Sequence, residues 1–115
     1  DNMDDKIWRR QLGQLQQDLT RLRNRLDTMT LCVVYEVDAQ SAARGWRAAF
    51  LCGAGEVSLQ ADSSDPQAVC KLDAQTIDAS AGIYRTRLAG GKHELYWRAE
   101  QGATLRLSAK ALEKL

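Results

Sequence analysis

Few residues in this 115-residue chain have chemical reach. The only histidine, His93, stands beside Glu94 and just after Gly90-Gly91. An imidazole next to a carboxylate is the usual start of a general base, and it becomes catalytic when a Ser, Cys or Thr nucleophile is brought to it. No second motif joins His93, so it reads as a solvated residue at a hairpin edge. Gly53-Ala54-Gly55 lacks the third glycine and the following helix of a phosphate-binding loop, and reads as a hairpin turn. Asp62 and Asp65 lack the spacing of a calcium loop. The three cysteines, Cys32, Cys52 and Cys70, show no C-x-x-C spacing, which speaks against a zinc site. No catalytic residue, metal or cofactor is implied, and the chain reads as non-enzymatic.

Three cysteines in a short domain fit an oxidising compartment, with one disulfide and one leftover thiol. The alternative is three buried, reduced thiols. The expected pair is Cys52–Cys70, because both fall on predicted strands flanking one turn region. Cys32 is then free or intermolecular.

The elements that must carry these residues begin with a helix. Trp8, Leu12, Leu15, Leu19, Leu22, Leu26 and Met29 recur in alternating steps of four and three. This is a heptad with Leu12, Leu19 and Leu26 at a, and Trp8, Leu15, Leu22 and Met29 at d. The adjoining e and g positions hold only polar residues, from Arg9 and Gln11 to Arg25 and Thr30. A helix lying on its own domain usually shows a broader stripe, so this narrow seam predicts a coiled coil that associates with itself. In a parallel pair Asp18 at g faces Arg23 at e of the next heptad, whereas the simplest antiparallel register faces Asp18 with Asp18. Parallel is favoured, as a dimer or trimer. From Trp8 to Met29 the seam spans about 33 Å at ~1.5 Å per residue.

After Met29 the period changes to that of strands. The sequence predicts strands over residues 31–37, 46–52, 56–61, 68–72, around Ile77, and over 83–88, 94–98 and 104–108, with a polar or short helical connection at 38–45. Ala89-Gly90-Gly91 reads as a hairpin, Asp62 to Pro66 as a loop, and Ala109 to Leu115 as a short segment of helical propensity. The expected fold is α+β: residues 1–30 as an amphipathic coiled-coil helix, and residues 31–115 as a small antiparallel β-barrel or sandwich of seven to eight strands.

Charge narrows the partners. Residues 1–30 carry six Lys/Arg and five Asp, and residues 31–115 carry ten charges of each sign. Nucleic-acid binding is not expected, since it normally requires concentrated positive charge. No apolar run reaches the ~18–20 residues of a membrane span. Membrane attachment is expected only through a segment not present in this chain. A sequence opening on Asp1 leaves room for such a segment or for a signal peptide.

The stretch from Asp78 to Ala103, together with Phe50-Leu51-Cys52, is similar to the membrane-bound inhibitor of C-type lysozyme family. That family shows aromatic-x-Cys, then Ser-Ala-Ser-Gly-x-x-Tyr, then Trp-x-Lys-Gly-x-x-Ala. Here Phe50-x-Cys52 matches the first element, Ala79-Ser80 with Gly82 and Tyr84 the second with altered spacing, and Trp97 and Ala103 the third. Arg98 stands one position before the family's lysine, Glu100 adds a negative charge, and the family's late cysteine is absent. The resemblance implies an eight-stranded barrel in the bacterial envelope, periplasmic or otherwise extracytoplasmic. It also implies a lysozyme-like protein partner, met by loops carrying Ser80 and Arg98 with Tyr84 and Trp97 beside them. Two readings follow: an envelope binding module resembling lysozyme inhibitors, or a structural subunit of an envelope or phage assembly whose coil sets the oligomer.

Overall fold

The heptad segment folds as one helix and the remainder as two sheets. A computed structural model describes residues 2–78 and 82–115, the side chains of residues 24–26 excepted. Helix α1 runs Asn2–Thr28, with Asp4 and Asp5 in its first turn, where carboxylates complement the positive end of the helix dipole. The β-branched run that follows ends it, and strand β1 (Thr30–Val37) begins two residues later.

After β1 come a short helix α2 (Ala39–Arg44), then β2 (Trp46–Cys52), β3 (Gly55–Asp62), β4 (Val69–Leu72), β5 (Gln75–Ile77), β6 (Ile83–Leu88), β7 (Gly91–Arg98), β8 (Ala103–Lys110) and β9 (Glu113–Lys114). Asp38 caps α2 by accepting from the Ser41 amide at 2.7 Å. That hydrogen bond holds the Asp38 carboxyl below its usual range.

Strands pair antiparallel in two sheets, ordered β1-β8-β3-β6 and β5-β4-β7-β2-β9. Alternation along each strand sends one set of side chains inward. In β8 these are Ala103, Leu105, Leu107 and Ala109, and in β7 Leu95 and Trp97. The inward faces meet in one core that joins Val57, Leu59, Leu105 and Leu107 to Phe50, Leu72, Leu95 and Trp97. Tyr35 and Trp46 cross between the layers edge to face, with ring centroids 5.2 Å apart.

Of the barrel or sandwich expected, the sandwich is what forms: two sheets with edges and nine described strands where seven to eight were expected, and the eight-stranded barrel implied by the family resemblance is not closed. Among the described strands only β4 and β5 pair with a neighbour in sequence, because every other consecutive pair is split between the two sheets. Both glycine turns read as hairpins therefore carry the chain from one layer to the other. Gly55 at φ +143° and Gly91 at φ +127° supply a left-handed backbone at those crossings. The tail expected to be helical instead completes β8 and adds β9 along β2, where the Leu115 amide donates to the Ala49 carbonyl at 3.0 Å. Tertiary pairing overrides its propensity.

Helix α1 stands away from the sandwich. The radius of gyration is 20.2 Å and the longest axis 72 Å, against about 13 Å for the radius of a compact chain of this length. Its attachment is at the C-terminal end, where the Ala111 amide donates to the Met29 carbonyl at 3.0 Å.

Candidate functional site

The seam is the most exposed apolar feature of the described molecule. Trp8, Leu12, Leu15, Leu19 and Leu22 are 52–65% exposed along the projecting helix, and Met29 at its foot is 48% exposed. Leu26 belongs to the same heptad and lies outside the described side chains. Soluble domains rarely leave so many large apolar side chains in one continuous line. Helix α1 does not lie on its own β domain, which removes the intramolecular explanation of the heptad.

The sandwich has two poles. The root pole holds the foot of α1, the end of β8 and the turn after β2, where the Gly53 amide donates to the Lys110 carbonyl at 2.8 Å. Strand β1 runs from there to the distal pole, which holds α2 and the connections after β3 and β7. Asp65 organises this pole, accepting from the Gln67 amide at 2.8 Å and from the Glu100 amide at 2.9 Å. A cleft of about 690 Å³ opens beside it, lined by Ala43, Asp65, Pro66, Gln67 and residues 98–101. Arg98 is exposed at the end of β7 and faces this cleft.

The other residues singled out by sequence fall in different places. Ser80 lies outside the described residues. Trp97 is 1% exposed and belongs to the core, and Tyr84 packs against that core from β6. Phe50, Cys52 and Ala103 are buried as well. Most of the residues that carry the family resemblance are thus packing residues.

Cys52 and Cys70 are not joined; Cys32, Cys52 and Cys70 are all free thiols. Cys52 sits opposite Gly91 and Cys70 opposite Trp97, on either side of β7. Six residue steps along β7 at ~3.3 Å separate the two positions by about 20 Å. A disulfide needs Cα atoms within ~7 Å. The sequence reading placed β2 and β4 around one turn, whereas β7 lies between them. Burial pushes the Cys70 thiol up to about 12, and burial followed by the nearby Asp73 carboxylate raises that of Cys52. Neither is a ready nucleophile.

His93 is not the solvated residue its sequence context suggested. Its side chain is 12% exposed, tilted against the Phe50 ring at 5.7 Å between centroids. No sequence signal marks its partner Asp73, twenty residues earlier, because the contact depends on β4 lying beside β7. Among the described residues no group of three or more His, Cys, Asp or Glu side chains converges as metal ligands would. No described helix is long and apolar enough to cross a membrane.

No protein-family model matches the chain, and no curated protein sequence matches it. Among solved structures it is similar to PliG of Aeromonas hydrophila, a periplasmic lysozyme inhibitor of g-type lysozyme. The identity is 12%, over 76% of this chain and 85% of that one, with a TM-score of 0.43. That protein acts on g-type lysozyme, whereas the sequence resemblance pointed to membrane-bound inhibitors of the C-type. At this identity no functional residue transfers from it.

Proposed function

We propose that this chain is a non-enzymatic envelope protein that associates with itself through a parallel coiled coil of α1 and displays its β-sandwich in two or three copies for protein binding. The observation that carries the reading is the exposure of the seam from Trp8 to Leu22 on a helix held off its own domain. A three-heptad line of this kind is covered most simply by an identical line from a second copy.

Charge selects the orientation. In a parallel pair each g residue faces the e residue of the next heptad, giving Asp4 with Arg9, Gln11 with Gln16, and Asp18 with Arg23. The antiparallel register of greatest overlap faces Asp18 with Asp18 and Arg9 with Arg23. These parallel pairs are complementary or neutral, whereas both of these antiparallel pairs repel. Both sandwiches then sit at the same end of the coil, root poles toward its axis.

The distal pole is the surface we assign to a protein partner, because Arg98 faces the cleft there. The described residues bounding Ser80 also belong to this pole, since Ile77 pairs with Cys70 beside Trp97, and Ile83 pairs with Gln60. A lysozyme is the partner that the sequence resemblance implies, and an extracytoplasmic location follows from the same resemblance. Sedimentation of the full chain tests the coil: a concentration-dependent dimer or trimer that Leu15→Lys returns to monomer is expected, and a monomer at high concentration overturns it. Inhibition assays against C-type and g-type lysozymes, comparing wild type with Ser80→Ala/Arg98→Ala, test the partner. An oligomer that inhibits neither enzyme is the assembly subunit of the alternative reading.

A further inference from the structure

We propose that His93 is held as an imidazolium that pins two turns together near the root pole, forming a latch that loosens when the ring loses its proton. The geometry requires two donors. Nδ1 of His93 lies 2.7 Å from a carboxylate oxygen of Asp73, and Nε2 lies 2.7 Å from the Ala89 carbonyl. Both partners only accept, whereas a neutral imidazole carries a single N–H. In either neutral tautomer one ring nitrogen would present its lone pair to an oxygen lone pair at hydrogen-bond distance.

Asp73 is itself fixed. It occupies the β4–β5 turn at φ +56°, a conformation that aspartate tolerates better than most residues. Its other carboxylate oxygen accepts from the Glu94 amide at 2.9 Å, and its own amide donates to the Glu94 carbonyl at 2.8 Å. The latch therefore ties the β4–β5 turn, through His93, to the β6–β7 turn at Ala89. That second turn continues to the helix foot: a Cβ on Gly90 would lie 3.2 Å from the Ala54 amide nitrogen, and one on Gly53 would lie 3.9 Å from the Asp27 carbonyl.

Among the described residues few groups face His93. From the β4–β5 turn comes the Asp73 carboxylate. From β2 come the uncharged Phe50 ring and, toward the strand end, the Cys52 thiol, which stays protonated across neutral pH. Lys92 and Glu94, its neighbours on β7, point to the opposite face by strand alternation, where Glu94 pairs with Arg47 at 2.6 Å.

Burial alone lowers the His93 pKa; the hydrogen bond to Ala89 and the hydrogen bond and charge of Asp73 outweigh it, leaving the net value above 6.5. A folded-state pKa above the unfolded one means that the latch contributes fully below pH 6.5. Its contribution is lost as pH rises through the raised folded value.

Because His93 is the only histidine, its ring signals in a ¹H–¹⁵N spectrum of the intact chain need no assignment by mutation. The expected result is a doubly protonated ring at pH 6.5 with a midpoint above that pH. Asp73→Asn should lower the midpoint by about one unit or more, and the amide signals of Ala54 and Gly90 should follow the His93 midpoint in wild type. Overturning results are a wild-type midpoint at or below 6.5, a midpoint unmoved in a folded Asp73→Asn variant, or turn amides indifferent to the titration. The wild-type midpoint decides the matter even if the variant does not fold.

Discussion

Lys114 reaches across the open seam of the sandwich to donate to the Val34 carbonyl at 2.7 Å, with its ammonium 4.6 Å from the centre of the Tyr35 ring. Val34 lies on β1, the edge of one sheet, and Lys114 on β9, the edge of the other. An eight-residue edge strand rich in β-branched residues is a template for unwanted pairing, and a lysine laid over it is a common protection. Lys114→Ala should cost about 1 kcal/mol and increase light scattering on heating. Lys114→Arg should restore both. An alanine variant that scatters no more than wild type contradicts this role.

Thiol chemistry checks the cysteines. On the unreduced protein all three should react with a thiol reagent after denaturation, and only the exposed Cys32 should react quickly in the native state. Reductant should leave the melting temperature unchanged. Fewer than three thiols in the denatured, unreduced monomer would restore an intramolecular disulfide.

The core prediction concerns Leu107, fully buried between β1 and β3. Leu107→Ala should lose about 3 kcal/mol, the transfer term plus the cavity left in a small sandwich. Denaturant unfolding followed at the tryptophans reads this directly, and a loss under 1 kcal/mol would place Leu107 outside the core.

Two glycines give opposite signs. A Cβ on Gly102 would lie 2.5 Å from the Val37 carbonyl oxygen, backbone that cannot move aside cheaply, so Gly102→Ala should destabilise by about 2 kcal/mol. A Cβ on Gly13 meets nothing within 4 Å, so Gly13→Ala should stabilise α1 by about 1 kcal/mol. Since that helix forms the proposed coil, Gly13→Ala should also tighten self-association.

What could be read in the sequence was what is local. The heptad of α1 and the inward alternation of β2, β6 and β8 depend on residues a few positions apart, and their spans are close to those expected. Pairing is not local. Gly53 to Gly55 and Gly90-Gly91 mark turns correctly, but whether a turn closes a hairpin or changes layers depends on β8 and β7 arriving from far along the chain to occupy the positions beside β3 and β2. The same non-local pairing separates Cys52 from Cys70 and brings Asp73 to His93. The tail shows the converse: Ala109 to Leu112 favour a helix, and the open edges of β1 and β2 give the chain better partners. The apolar line of α1 was legible because a helix repeats a face in its own period, and its described members from Trp8 to Leu22 are exposed. The distal pole was only partly legible, with Arg98 placed at the cleft and Trp97 and Tyr84 packed inward.

Whether α1 forms a parallel coil is decided by distances between spin labels at two outward-facing helix positions, Arg10→Cys and Gln17→Cys, each in a Cys32→Ser background. Both are f positions seven residues apart. In a parallel pair each label lies level with its counterpart on the other helix, so the two variants should give the same short distance. In the antiparallel register of greatest overlap Gln17 still meets Gln17, while the two Arg10 labels are offset along the axis by fourteen residues, about 21 Å at ~1.5 Å rise. Equal short distances are the predicted result. A longer distance at Arg10 than at Gln17, or no dipolar signal at either, rules out the parallel coil.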